Sequence, residues 1–286
     1  MDSREQSAFD RVETMTERVL EHFRDVIGVD TSVPPGKNYD RFVDVVEPKF
    51  RELGFDTERV TIPQELVDTI PLPLEGPRVN LVARRTSPAS NGEKVTIYAH
   101  MDVVPIEEGW TYEPFSATVD DGKIYGRGTA DMKGAIASLL TAIEVMDAEG
   151  IDPGFDLIVC ICTDEEIGGY PGIWHLAKKG YVQGHMLCLE GGQDPRIGLA
   201  SAGAVDVTVT TIGRSGHSGM NFLAVNAIDG MIPILNELYA LKLQVEARES
   251  AVPGPPHPQA PSDKMTPMFN LSMFRTEYPR PLVSVR

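Results

Sequence analysis

The segment Phe155–Cys162, FDLIVCIC, is almost continuously apolar and runs into three acids, Asp164, Glu165 and Glu166. An alternating strand can leave one face in water; this one cannot, so both of its faces must be covered. Such a strand belongs inside a sheet with helices on both sides. The neighbouring segments agree. RVNLVARR, KVTIYAH and HMLCL read as further strands, while Met132, Ala135, Ile136, Leu139, Leu140, Ile143 and Met146 recur at helical spacing. This alternation predicts an α/β sandwich with a mainly parallel mixed sheet.

Other elements can be placed from the same patterns. Phe9, Val12, Val19, Phe23, Val26 and Ile27 predict a helix over 9–27, stopped by the turn SVPPGKN. A second helix over 40–53 ends at Gly54, FDTERVTI follows as a strand, and another helix is expected around 171–179. RVNLVARR and KVTIYAH, separated by a loop containing Asn91-Gly92, predict a hairpin-like pair. Near residue 200 the character changes. AVDVTVTTI alternates strictly, as a half-solvated strand would, and a helix over 222–245 follows. AVPGPPHPQAPSD is neither helix nor central strand, and MFNLSMF resumes a strand pattern. Residues 200–286 therefore read as a second, smaller domain.

Candidate ligands stand wherever a strand ends or a helix opens. They are His100 with Asp102, Asp131, Glu165 with Glu166, and Glu190. In open α/β sheets, sites assemble at the carboxyl ends of the strands. One imidazole with several carboxylates makes a mixed nitrogen and oxygen donor set that suits zinc and also manganese or cobalt. Each member alone has a plainer reading. A His-x-Asp pair is common by chance, Asp131 could be a helix N-cap, and the acid run could be a solvated loop. Three like charges at the mouth of an apolar strand are costly, however, unless cations neutralise them. Adjacent carboxylates can also divide the labour, one ligating while the other takes a proton from water. If the strand continued past His100, Asp102 would share its side and could set the imidazole tautomer.

Composition narrows the partners. A net charge of -16 with no basic stripe argues against nucleic acid and against anionic membranes. MDSREQSAFDRVE lacks the apolar core of a signal peptide, and no stretch reaches the roughly 18 apolar residues of a membrane span. Cys160, Cys162 and Cys188 all lie in apolar runs and read as buried, reduced thiols. A cytoplasmic location is the expectation.

Four blocks then fall in order over most of residues 10–275: HMDVVP, GWTYEPFSATVDDGKIYGRGTADMKGAIAS, TDEEIGG and GRSGHSGMNFLAVNAI. With them the chain resembles the M20-type metallopeptidases, the family of acetylornithine deacetylase, succinyl-diaminopimelate desuccinylase, aminoacylase and glutamate carboxypeptidase. The resemblance implies a zinc-peptidase-like catalytic domain over 1–199 and an incomplete α+β lid and dimerisation domain over 200–286. It implies two Zn2+ ions, with Co2+ or Mn2+ as alternatives. His100 and Glu190 would hold one metal, Glu166 the other, and Asp131 would bridge them. Glu165 would be the general base and Asp102 would orient His100. His217, in GRSGHSG, would reach the partner subunit's site in a homodimer and stabilise the oxyanion. A cis peptide between Asp131 and Met132 is implied as well. The implied reaction is hydrolysis of the amide bond of an N-acyl amino acid, with a dipeptidase or carboxypeptidase of the same family, or a non-catalytic binding protein, as alternatives.

The chain departs from the family in two places. Gly191 follows Glu190 where relatives have proline, and nothing after MFNLSMF matches the family's closing segment, which carries a further histidine ligand. His257, in the proline-rich loop, is a poor substitute. The chain is thus expected to lack the C-terminal part, and to hold at most one metal tightly.

Overall fold

In the computed structural model, which describes residues 3–168, 171–190, 203–205, 207–254 and 262–274, the apolar run lies in the middle of a five-stranded sheet. The chain divides into two compact units, Met1–Leu199 and Ala200–Arg286. The first begins with helices α1 (Ser3–Thr14), α2 (Thr16–Ile27) and α3 (Tyr39–Glu52), then strand β1 (Asp56–Thr61) and the short α4 (Gln64–Val67). Strands β2 (Val79–Arg85) and β3 (Lys94–His100) follow, then a small hairpin of β4 (Thr118–Asp120) and β5 (Lys123–Tyr125). Helix α5 (Lys133–Ala148), β6 (Asp156–Cys162), α6 (Gly172–Lys178) and β7 (His185–Cys188) complete it.

The sheet order is β1-β2-β6-β3-β7. Strand β2 is antiparallel to both neighbours, whereas β6, β3 and β7 are mutually parallel. Side chains of β6 alternate between two apolar layers, as the period of a strand requires. Leu157, Val159 and Ile161 join the core formed with Val26, Phe42 and Phe50 on one side and Leu140 of α5. Ile158, Cys160 and Cys162 face the opposite way, toward Val82, Tyr98 and Leu176 of α6. Both faces are covered, as FDLIVCIC demands.

Several expectations are corrected. Strands β2 and β3 run antiparallel but do not form a hairpin: β6 lies between them and pairs with both, so the loop with Asn91-Gly92 turns the chain back across the place that β6 fills. A buried apolar strand is satisfied only with neighbours on both edges, and β6 takes that central place. The helix expected over 9–27 breaks at Met15, flanked by Thr14 and Thr16, whose hydroxyls donate back to the carbonyls of Arg11 and Glu13. Cys160 and Cys162 are buried, but Cys188 is exposed because β7 forms the edge of the sheet.

The second unit contains a 3-10 turn (Ser218–Leu223) and helix α7 (Ala227–Glu246), capped by Asn226, whose Oδ1 accepts from the amide of Ile228. Among the described residues, neither AVDVTVTTI nor MFNLSMF is a strand, and the only pairings of the unit are isolated bridges, Arg214 with Val225 and Pro253 with Lys264. Alternation makes a strand only where a neighbouring strand supplies hydrogen bonds, and none does among the described residues. Residues 255–261 of the proline-rich stretch, with His257, and the closing TEYPRPLVSVR lie outside the described residues, as do Gly191 and Gly192. No helix among the described residues is long and apolar enough to cross a membrane.

Candidate metal centre

The parallel register brings three strand ends together. His100, last in β3, pairs with Cys162, last in β6, and Tyr98 pairs with Cys188, last in β7. The residues that follow these ends, Glu165 and Glu166 after β6 and Glu190 after β7, therefore gather beside His100. Asp131 arrives from the loop before α5. It does not cap that helix: the N-cap is Met132, and no side chain caps the first turn. A cis peptide joins Asp131 to Met132. Gly128, at φ +88, lets this loop press inward; a Cβ there would come within 2.9 Å of Val103.

His100 is fully buried. Its Nδ1 lies 3.0 Å from the main-chain carbonyl of Asp102, so Nδ1 donates and Nε2 is turned toward the acids. The chain leaves the strand at His100, and the Asp102 carboxylate is not the closer partner: its Oδ1 stands 3.5 Å from Nδ1. Oδ2 of Asp102 instead accepts from the amide of Glu166 at 2.9 Å, tying the strand end to the acid turn. His100 Nε2 lies 3.1 Å from Asp131 Oδ1 and 3.9 Å from Glu165 Oε2.

Two sets of ligand atoms each lie within 4.8 Å of one another: His100, Asp131 and Glu166, and His100, Glu165 and Glu190. The structure thus groups Glu190 with Glu165, whereas the resemblance pairs Glu190 with Asp131 around His100. Electrostatics tell the same story of an acid cluster seeking positive charge. Burial raises the Glu165 carboxyl, and Glu190 raises it further; Glu166 is raised by burial and then by Asp131. Burial alone would lower His100, but Asp102, Glu165 and Asp131 together outweigh it and lift the imidazole to about 9. Each set, one imidazole nitrogen with two carboxylates, offers donors that fit a hard or borderline divalent cation.

His217 belongs to the second unit. There it caps the 3-10 turn, its exposed ring accepting at Nδ1 from the amide of Gly219 at 3.1 Å.

The family profile described as Peptidase family M20/M25/M40 matches residues 96–264. This chain belongs to that family. Curated relatives from the family include a succinyl-diaminopimelate desuccinylase of Methylobacterium radiotolerans, 32% identical over 69% of this chain and 50% of its own length. Another, from Acidiphilium cryptum, is 35% identical over 57% of this chain and 45% of its own. The chain spans about half the length of the curated relatives it matches. Among solved structures, human carnosine dipeptidase 1 shares the fold with a TM-score of 0.54, at 22% identity over 64% of this chain and 40% of that one. The Saccharomyces cerevisiae di-peptidase Dug1p shares it at 0.52, with 22% identity over 61% and 37%.

Sequence reasoning missed the groups behind this M20 site. Asp164, counted with its neighbours as one acid run, is buried and separate from them: its Oδ1 accepts from the Tyr39 hydroxyl at 3.0 Å, and Arg78 faces it. Burial lifts its carboxyl to about 6, although Arg78 pulls the other way. Asn80 Oδ1 accepts from the amide of Thr163, and the Met132 sulfur from the amide of His100. Lys133 is buried too, its Nζ donating to the carbonyl of Val29 at 2.6 Å. Arg78, directly ahead of the strand VNLVARR, was the available signal.

Proposed function

We propose that this chain is the metal-binding part of a hydrolase that cleaves the amide bond of an N-acyl amino acid. The observation that carries the reading is the convergence of His100 with Asp131, Glu165, Glu166 and Glu190 at the carboxyl ends of parallel strands. Family membership supports it, as do relatives named for removing a succinyl group. A divalent cation bound there, zinc with cobalt or manganese as alternatives, would supply Lewis acidity, polarising a carbonyl and making water more acidic.

The chain's own residues take the remaining roles. His100 offers Nε2 as a ligand because the Asp102 carbonyl occupies Nδ1. Asp131, Glu166 and Glu190 supply carboxylate oxygens. Glu165 is half-buried and its carboxyl is raised, which suits a group that takes a proton from the attacking water and returns it to the leaving amine. Water oxygen adds to the carbonyl carbon, the C–N bond breaks, and the products are a carboxylate and an amine. In this reading residues 1–199 form the catalytic domain and 200–286 a lid and dimerisation domain of a cytoplasmic homodimer. His217 would serve the partner subunit's site, and the Gly219 amide on Nδ1 supports this by leaving Nε2–H as a donor for an oxyanion.

The test uses a full-length version with Zn2+ and a panel of N-succinyl and N-acetyl amino acids, with amine release as the readout. Glu165→Ala is expected to lower kcat by at least about 100-fold, the usual scale of acid–base catalysis, while metal content holds. Retained turnover in Glu165→Ala would remove the general-base role.

A further inference from the structure

Behind the carboxylates lies a buried polar cluster that the proposed chemistry does not use. Arg78 is 1% exposed and Asp164 0%. The guanidinium donates through Nη1 to the carbonyls of Glu75 (2.5 Å), Gly76 (3.0 Å) and Gly36 (3.3 Å), and through Nη2 to that of Pro35 (2.9 Å). Its Nε has no hydrogen-bond partner and faces Asp164 Oδ2, 3.6 Å away, which has none either. The guanidinium carbon lies 5.4 Å from the centre of the Tyr39 ring, whose hydroxyl holds the other Asp164 oxygen. Gly36, at φ +75, makes the approach possible: a Cβ there would stand 2.5 Å from Arg78 Nη2 and 2.9 Å from the Tyr39 hydroxyl.

Stability alone is a weak reason for such a pair, since apolar residues of similar volume often serve as well. Its position offers a better one. Asp164 has φ +62, in the left-handed region that non-glycine residues rarely adopt, and the next two residues are Glu165 and Glu166. At this residue the chain turns out of β6 into the acid pair. On either side of it, the amide of Thr163 is held by Asn80 and that of Glu166 by Asp102.

We infer that Arg78 and Asp164 are positioning residues: their pair anchors this turn to the Pro35–Gly36 loop and holds Glu165 and Glu166, against mutual repulsion, at the spacing a divalent cation needs. The inference rests on the reading of the site as a metal centre. Neither residue belongs to the ligand sets, so their loss should weaken binding in the manner of an outer partner that orients ligands.

Calorimetric titration of the chain with Co2+ tests this, using Asp164→Asn and Arg78→Lys. Asp164→Asn keeps the volume and removes the charge that faces Arg78, and Arg78→Lys cannot serve four carbonyls from one ammonium. Leu140→Ala, a buried residue of α5, is the matched control for lost stability, and circular dichroism confirms that each variant is folded. Asp164→Asn and Arg78→Lys are expected to bind Co2+ about tenfold more weakly, while Leu140→Ala binds as the parent does. If either folded variant binds Co2+ as the parent does, or if Leu140→Ala loses as much as they do, the positioning role is overturned. A parent chain that takes up no Co2+ is a different result: it removes the metal centre itself, and this inference with it.

Discussion

The two units of this chain carry comparable apolar patterns and meet different ends. In the first, β6 and its neighbours bury Leu81, Val159 and Ile161 completely. In the second, none of the described residues is buried; α7 is 20 residues long and buries nothing, and Val205, Ile212 and Leu243 are 86%, 87% and 63% exposed. A hydrophobic pattern is therefore a request for a partner and does not itself produce a core. Among the described residues, the metal-type ligands gather only where that request is answered, because a rigid sheet edge sets their spacing.

The largest test of this contrast is cation uptake. His100→Ala or Glu166→Gln in the first unit is expected to weaken Co2+ binding by more than about 100-fold, beyond the effect of an outer partner. His217→Ala in the second unit should leave the affinity of the same chain unchanged. If His217→Ala weakened binding as much, the ligand set would not be confined to the first unit.

Stability gives a smaller contrast. Leu140, fully buried in α5, is expected to cost about 2–5 kcal/mol when changed to Ala. Leu243 on α7 should cost no more than about 0.5 kcal/mol, as an exposed surface position does. Denaturant unfolding checks both. A cost above about 2 kcal/mol at Leu243 would show that α7 is covered in solution.

Much of the first unit was legible because each signal was local. FDLIVCIC required two covered faces, and the helix after Asp131 was plain from its spacing. The site was legible as a set of strand ends, since His100, Glu165, Glu166 and Glu190 each follow an apolar run. Pairing was less legible. Nothing in RVNLVARR or KVTIYAH says that β6 will come between them, because strand order is decided by long-range packing. The same limit explains AVDVTVTTI and MFNLSMF, whose patterns find no partner strand among the described residues. Asp164 was misread for another reason: its burial depends on Arg78, 86 positions earlier in the chain, and no short window contains both. The Asp102 carbonyl, rather than its carboxylate, became the closer partner of His100 because the strand ends at His100, as KVTIYAH suggested, and does not continue to Asp102.

The smallest expected effect is a pH dependence, and it too separates the units. His22 of α2 is buried against Glu144 of α5, its Nε2 3.1 Å from Oε1, and its Nδ1 has no hydrogen-bond partner. Burial lowers its pKa from 6.5, and Glu144 only partly offsets this. The folded chain thus resists protonation of a ring that the unfolded chain protonates readily. Stability from this group is complete above about 6.5 and is lost as pH falls through the lower, folded value. His22→Gln removes the titration. The parent should therefore lose stability relative to His22→Gln between pH 7 and 5, read from denaturant midpoints at each pH. Glu144 is itself held low, by Arg18 and His22 against burial, so its own loss falls below about 4.5 and outside that window. The described part of the second unit buries no ionisable group, so the slope reports on the first unit alone. A parent-minus-variant difference that stays flat from pH 7 to 5 would show that His22 takes up its proton as easily folded as unfolded, and the contact between α2 and α5 would then be looser than its burial indicates.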